Sequence, residues 1–309
     1  MIALLALLLA PAPAVDLVGA AGTIDAPLLV GSRGEIYERS TPAPAPATYA
    51  RRAGGGVSTR LVSVGGSATP WAVGDKLPAF AYAPATGWTA LPLRLGGVIE
   101  LADGPLLAVA SGRKLAVRAA KDWQQLNAPG DVAGLWAAAP KDLIAVTRTG
   151  EAHRLAGKWK PLKLAGGKPE KWADVLDAGG VPLLLSATGT LARVDAKGPR
   201  RLERPPTWSS ARVRLAAHGA PVVLAELPGT PVTFRLGRVD AARVVDLGPL
   251  PAIDAPIAVL AAPDGRALIV TRGGTVHTRD AAGAWATSTV DSGPPTTTGP
   301  KNPPALAPR

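Results

Sequence analysis

The chain has no cysteine, one methionine and three histidines, and only 4% of its 309 residues are aromatic. Without cysteine there can be no disulfide, thiolate metal site, cysteine nucleophile or lipid-modified cysteine anchor, so stability has to come from packing. Three histidines, His153, His218 and His277, are a thin supply for a zinc site, which needs three or four convergent ligands. No apolar run approaches the roughly 20 residues of a transmembrane helix. The run from Ile2 to Ala10 is followed by Ala12-Pro13-Ala14, which fits the small-residue cleavage rule of a secretory signal. Residues 1–14 are therefore read as a signal peptide and the protein as periplasmic or secreted, although no Lys or Arg precedes Arg33 to supply the usual positive start.

What the chain does contain is 47% hydrophobic residues, 35 Gly and 32 Pro, enough to bury a core and to favour frequent turns over long helices. Its net charge of +11 and pI near 10.3 favour acidic partners such as an anionic glycan or an acidic protein surface. The same balance also follows from an Arg-, Ala-, Pro- and Gly-rich composition. Nucleic acid, which charge alone would suggest, conflicts with the export signal and is not expected.

Apolar runs recur along the sequence, ending at Val30, Val73, Val109, Val146, Leu185, Leu224 and Val270, with gaps of 43, 36, 37, 39, 39 and 46 residues. A period near 40 is that of a propeller blade of four antiparallel strands. Other features keep step with it. A second apolar stretch precedes each run, as at Leu17-Val18, Leu135-Trp136 and Ile257-Leu260. Turn signals such as Asp103-Gly104, Gly179-Gly180, His218-Gly219 and Asp264-Gly265 lie between. Glycine recurs after the run at Gly34, Gly150, Gly189 and Gly274, followed by an alternating third strand. Trp88, Trp123, Trp159 and Trp285 then stand 13 to 15 residues after their runs, at the start of a fourth strand, where large rings fill the widening space between blades. Blades 1, 5 and 6 lack this Trp.

Leu135-Trp136, Pro140-Lys141-Asp142-Leu143-Ile144-Ala145-Val146, Gly150 and Gly157-Lys158-Trp159 resemble the degenerate Trp/Gly-rich propeller repeats of secreted bacterial proteins, common in myxobacteria. The resemblance implies a fold and little chemistry. The prediction is an all-β chain forming a single β-propeller over residues 15–290, with seven blades of four antiparallel strands. Six blades are the alternative, in which the irregular first repeat only contributes a closing strand. Residues 291–309, rich in Pro and Thr, are expected to form a disordered tail, and the Pro-rich stretch 41–46 an exposed loop.

Catalytic constellations are hard to assemble in this frame. His153 and His277 occupy equivalent positions in blades 4 and 7, and Asp103, Asp142 and Asp264 recur in equivalent turns, so the ring separates them. There is no Gly-x-Ser-x-Gly and no phosphate-binding loop. No catalytic residue, metal site or cofactor is predicted.

The informative set is the loop joining the second and third strands, basic in five blades through Arg33, Lys76, Arg113 with Lys114, Arg148 and Arg272. In a propeller these loops emerge on one face, beside the connections between blades. Trp172 and Trp208 fall in or near such connections and are candidate anchors for a sugar ring or a protein partner. The function expected is a non-enzymatic binding or scaffold module for a protein or anionic ligand. The alternative is a lyase or hydrolase acting on a polyanionic glycan at the propeller axis.

Overall fold

The computed structural model describes residues 15–40, 47–52, 57, 59–66, 69–75, 79–93, 95, 101–102, 106–119, 122–164 and 170–293. The expected signal peptide, the loop 41–46, Asp103, Lys76 and the tail beyond 293 lie outside them. The described residues form seven four-stranded antiparallel sheets, each with its strands in sequence order. These blades cover 17–51, 61–91, 101–127, 132–161, 172–201, 212–249 and 256–289. The six-bladed alternative falls because residues 17–51 make a complete blade, with all four strands paired.

Blade 4 shows why these residues choose these strands. Its strands are Val132–Ala139, Asp142–Thr147, Ala152–Ala156 and Lys158–Pro161. The second is buried at every position after Asp142 because neighbouring blades cover both faces of the sheet, so it reads as a continuous apolar run rather than an alternation. The fourth lies at the rim and is largely exposed. The recurrent apolar runs are thus the second strands, and the stretches before them are the first strands, which face one another around the axis.

The core is a ring of seven apolar clusters, one between each pair of adjacent blades, including the pair formed by blades 7 and 1. Trp88, Trp123, Trp159 and Trp285 pack from their fourth strands into the cluster shared with the preceding blade. Two of them are also pinned to it: Trp88 Nε1 donates to the Gly34 carbonyl at 3.0 Å and Trp159 Nε1 to the Asn127 carbonyl at 2.8 Å.

Among the described residues no strand is exchanged between the first and last blades; blade 1 is built from residues 17–51 and blade 7 from 256–289. The seam between them is closed by a cluster that includes Leu17, Leu29, Tyr49, Leu268 and Val290. The Leu17 amide donates to the Arg272 carbonyl at 3.0 Å, the Asp291 amide to the Tyr49 carbonyl at 2.9 Å, and Arg266 pairs with Asp25.

In six blades the pairing of first and second strands slips by one residue near the start, leaving Val18, Val62, Ala133, Ala173, Arg214 and Ile257 unpaired. Such a bulge bends the strand and re-aims a side chain. Val18, Val62 and Ile257 are thereby presented to the axial cavity.

Candidate functional site

Because every blade runs its strands in the same order, the turns between second and third strands share one face of the ring with the inter-blade connections. Backbone bonds tie the two together. The Val57 amide donates to the Arg33 carbonyl at 2.8 Å, the Ala128 amide to Arg113 at 2.8 Å, and the Arg148 amide to the Asp131 carbonyl at 2.8 Å. These ties hold the turns rigidly, and Arg33, Arg113, Lys114, Arg148 and Arg272 are all exposed on this face. Acidic groups stand among them: Glu35 accepts from the Arg33 amide at 3.0 Å, and Asp131 and Glu151 lie in or beside the same turns. The cations therefore form an interrupted arc.

Trp172 and Trp208 do not belong to that surface. Trp172 opens the first strand of blade 5, Trp172–Ala178, and is 4% exposed, packed with Trp136, Val175 and Leu184 between blades 4 and 5. Trp208 ends a single 3-10 turn, Pro206–Trp208, and is fully buried between blades 5 and 6 against Gly237 and Val244. Arg204 fastens that turn by donating to the carbonyls of Gly189, Trp208 and Ala211. The physical reason lies in the repeat. Blades 5 and 6 have no fourth-strand Trp, and the first residue of blade 5 and the connection before blade 6 supply the rings that the wedges would otherwise lack.

The axis holds a cavity of about 230 Å³ lined by first strands of blades 1, 2, 5, 6 and 7. Among the described residues its lining carboxylate is Asp177, whose Oδ1 accepts from Trp136 Nε1 at 2.8 Å and from the Gly180 amide at 3.1 Å, while Oδ2 lies 4.0 Å from His218 Nδ1. Burial raises the Asp177 carboxyl, with Trp136 and His218 pulling against it, and burial lowers the His218 imidazole. Asp177 thus links blades 4, 5 and 6. His218 extends the link to blade 7, since its amide and carbonyl pair with Val259 and Ala261. Sequence spacing gave no sign of this pair, because Asp177 lies in the first strand of blade 5 and His218 in the first hairpin of blade 6, at non-equivalent positions of the repeat. His153 and His277 hold the equivalent third-strand positions expected of them, opposite Ala145 and Ile269. Asp142 and Asp264 are engaged locally by Arg154 and Arg266.

Asp174, on the same strand as Asp177, lies against Gly134 of blade 4 and among the described residues accepts only from the Val175 amide, at 2.7 Å. Burial pushes its carboxyl up from 3.8 to about 6. Above pH 6 the folded state carries the full cost of the ionised group. As pH falls toward 4 the folded protein takes up the proton first and the cost disappears. Asp174→Asn, which keeps the acceptor, is expected to raise stability by about 1–2 kcal/mol at neutral pH, allowing for partial solvent screening. The gain should vanish below about pH 4, where unfolded carboxyls are protonated too. Urea denaturation at both pH values checks it, and an equal gain at both would show that charge burial is not the cause.

No protein-family model and no curated protein matches the chain. Solved structures do. The chain is similar to PorZ, described as an essential surface component of the type-IX secretion system of Porphyromonas gingivalis (TM-score 0.58, 15% identity), over 90% of its own length but only 38% of PorZ. It is also similar to YCF48 from Cyanidioschyzon merolae (TM-score 0.56, 12% identity), over 85% of this chain and 95% of that one. A YCF48 bound to D1 peptide (TM-score 0.54, 17% identity) matches 83% of this chain and 91% of that one. At these identities the likeness defines the class of protein, a seven-bladed β-propeller, and nothing narrower.

Proposed function

We propose that this propeller is an exported binding module, of the Trp/Gly-rich repeat type its sequence resembles, that holds an acidic segment of a protein partner on its turn face. The observation that carries the reading is the exposure of Arg33, Arg113, Lys114, Arg148 and Arg272 on turns that backbone bonds hold in place. Preorganised turns lose little freedom on binding, and guanidinium groups meet carboxylates with two parallel hydrogen bonds. A structural neighbour supports a peptide ligand by analogy, being a propeller bound to D1 peptide.

The test is a triple charge reversal, Arg33→Glu, Arg148→Glu and Arg272→Glu, measured by fluorescence anisotropy with a synthetic Asp/Glu-rich peptide. Binding by the wild type, weakened roughly tenfold or more in the variant at low salt, is the expected result. The melting transition should be unchanged. Wild-type protein that ignores the peptide, or a variant that binds it equally well, would refute the reading.

A further inference from the structure

Of the eleven lysines in the chain, seven fall between Lys141 and Lys197. An Arg-rich composition does not explain that clustering, because a genome-wide preference for arginine over lysine would thin the lysines evenly. The structure gathers four of them at one place. Lys141, Lys160, Lys163 and Lys197 line an open cleft of about 710 Å³ at the outer edge of blades 4 and 5. They arrive from separate elements: the first hairpin of blade 4, its fourth strand, the connection that follows, and the hairpin closing blade 5.

The cleft is built around Arg154. Its guanidinium donates to both Asp142 oxygens, at 2.9 and 3.1 Å, and to the Asp195 carbonyl at 3.0 Å, so it joins the two blades and its charge is neutralised in doing so. Asp195 in turn accepts from the Lys197 amide at 2.7 Å and stands 4.0 Å from Arg200. Both carboxylates lining the cleft are therefore engaged. The four ammonium groups are exposed and have no hydrogen bond or ion pair among the described residues. Pro161, Leu162 and Pro199 supply an apolar floor.

We propose that this cleft is a second anion site, separate from the turn face, and that it binds a linear acidic polysaccharide. Compact ammonium charges on flexible stems adjust to charges repeating along a polymer, where a guanidinium fork would demand a fixed geometry. The apolar floor accepts the C–H faces of sugar rings. No aromatic side chain lines the cleft among the described residues, so these offer no stacking platform of the kind by which proteins hold single-stranded nucleic acid. The inference does not rest on the turn-face reading.

The experiment is titration calorimetry at low ionic strength with a heparin-derived oligosaccharide and an oligogalacturonate, beside poly-glutamate and single-stranded DNA. Binding of at least one oligosaccharide is expected, weakened roughly tenfold or more by Lys160→Glu with Lys163→Glu and Lys197→Glu. Replacing the same lysines by arginine should largely preserve it. The turn-face triple variant should bind the oligosaccharide within about twofold of wild type, since exposed charges beyond a Debye length are screened. The lysine variant should likewise keep its affinity for the acidic peptide, so each site can fail without the other. The proposal is overturned if neither oligosaccharide binds, if both variants lose it equally, or if poly-glutamate or DNA binds the cleft more tightly.

Discussion

Trp208→Ala should destabilise the propeller by about 3–5 kcal/mol, the cost of deleting a buried indole and leaving a cavity behind. The indole is fully buried, and its six-membered ring lies so close to Gly237 that a Cβ there would come within 2.5 Å of it. Its cluster includes Leu183, Leu191, Val213 and Val244, each held in a sheet of one of the two blades, and Leu202 just beyond the last strand of blade 5. Its Nε1 has no hydrogen-bond partner among the described residues, so the loss is one of volume and contact, and Trp208→Phe should recover a large part of it. Chemical denaturation measures both. A Trp208→Ala protein of native stability that had lost only ligand binding would restore the surface role its Pro-rich setting suggested and would refute the packing account.

Gly179→Ala should cost about 3 kcal/mol or more, while Gly180→Ala, one residue on, should cost about 1–2 kcal/mol. Both residues have positive φ, +59° and +84°, so both substitutions carry the left-handed backbone penalty. They differ in what surrounds them. A Cβ on Gly179 would lie 2.5 Å from the Ala220 carbonyl carbon and 2.7 Å from its Cα, whereas nothing lies within 4 Å of one on Gly180. Relief would require blades 5 and 6 to part where the Gly179 amide donates to the Ala217 carbonyl at 3.0 Å. The difference between the two variants isolates the steric part, and equal losses would mean that the blades do not meet there as described.

These two residues also mark where sequence reading succeeds and where it stops. The blade frame was legible because burial on both faces forces an uninterrupted apolar second strand, and that signal survives degeneracy in the rest of the repeat. The rim tryptophans were legible because they keep a fixed distance from it. Trp172 and Trp208 were misread for the complementary reason. They do the same packing work from a different position in the blade, and a Trp in a Pro-rich stretch looks exposed until the wedge it fills is seen. The basic turns could be placed on one face from strand order alone. The lysine cleft could not, since its residues come from two blades and meet only through the Arg154 clasp. Its trace in the sequence was the uneven distribution of lysine. The first-strand bulges left no trace at all, because the unpaired residue is variously Val, Ala, Arg or Ile.

The seam between blades 7 and 1 has a consequence for how the ring can be rearranged. Each blade is a contiguous stretch of chain, and Val15 and Val290 both approach Gly274 closely enough that a Cβ on it would touch each of them. The two ends of the folded ring thus lie side by side. A short linker could join them, and the circle could be reopened at another inter-blade connection, such as the one between Asn127 and Val132, without cutting a sheet. The order in which the blades leave the ribosome is then a free variable, and a circular permutant beginning with blade 4 should reach the same ring.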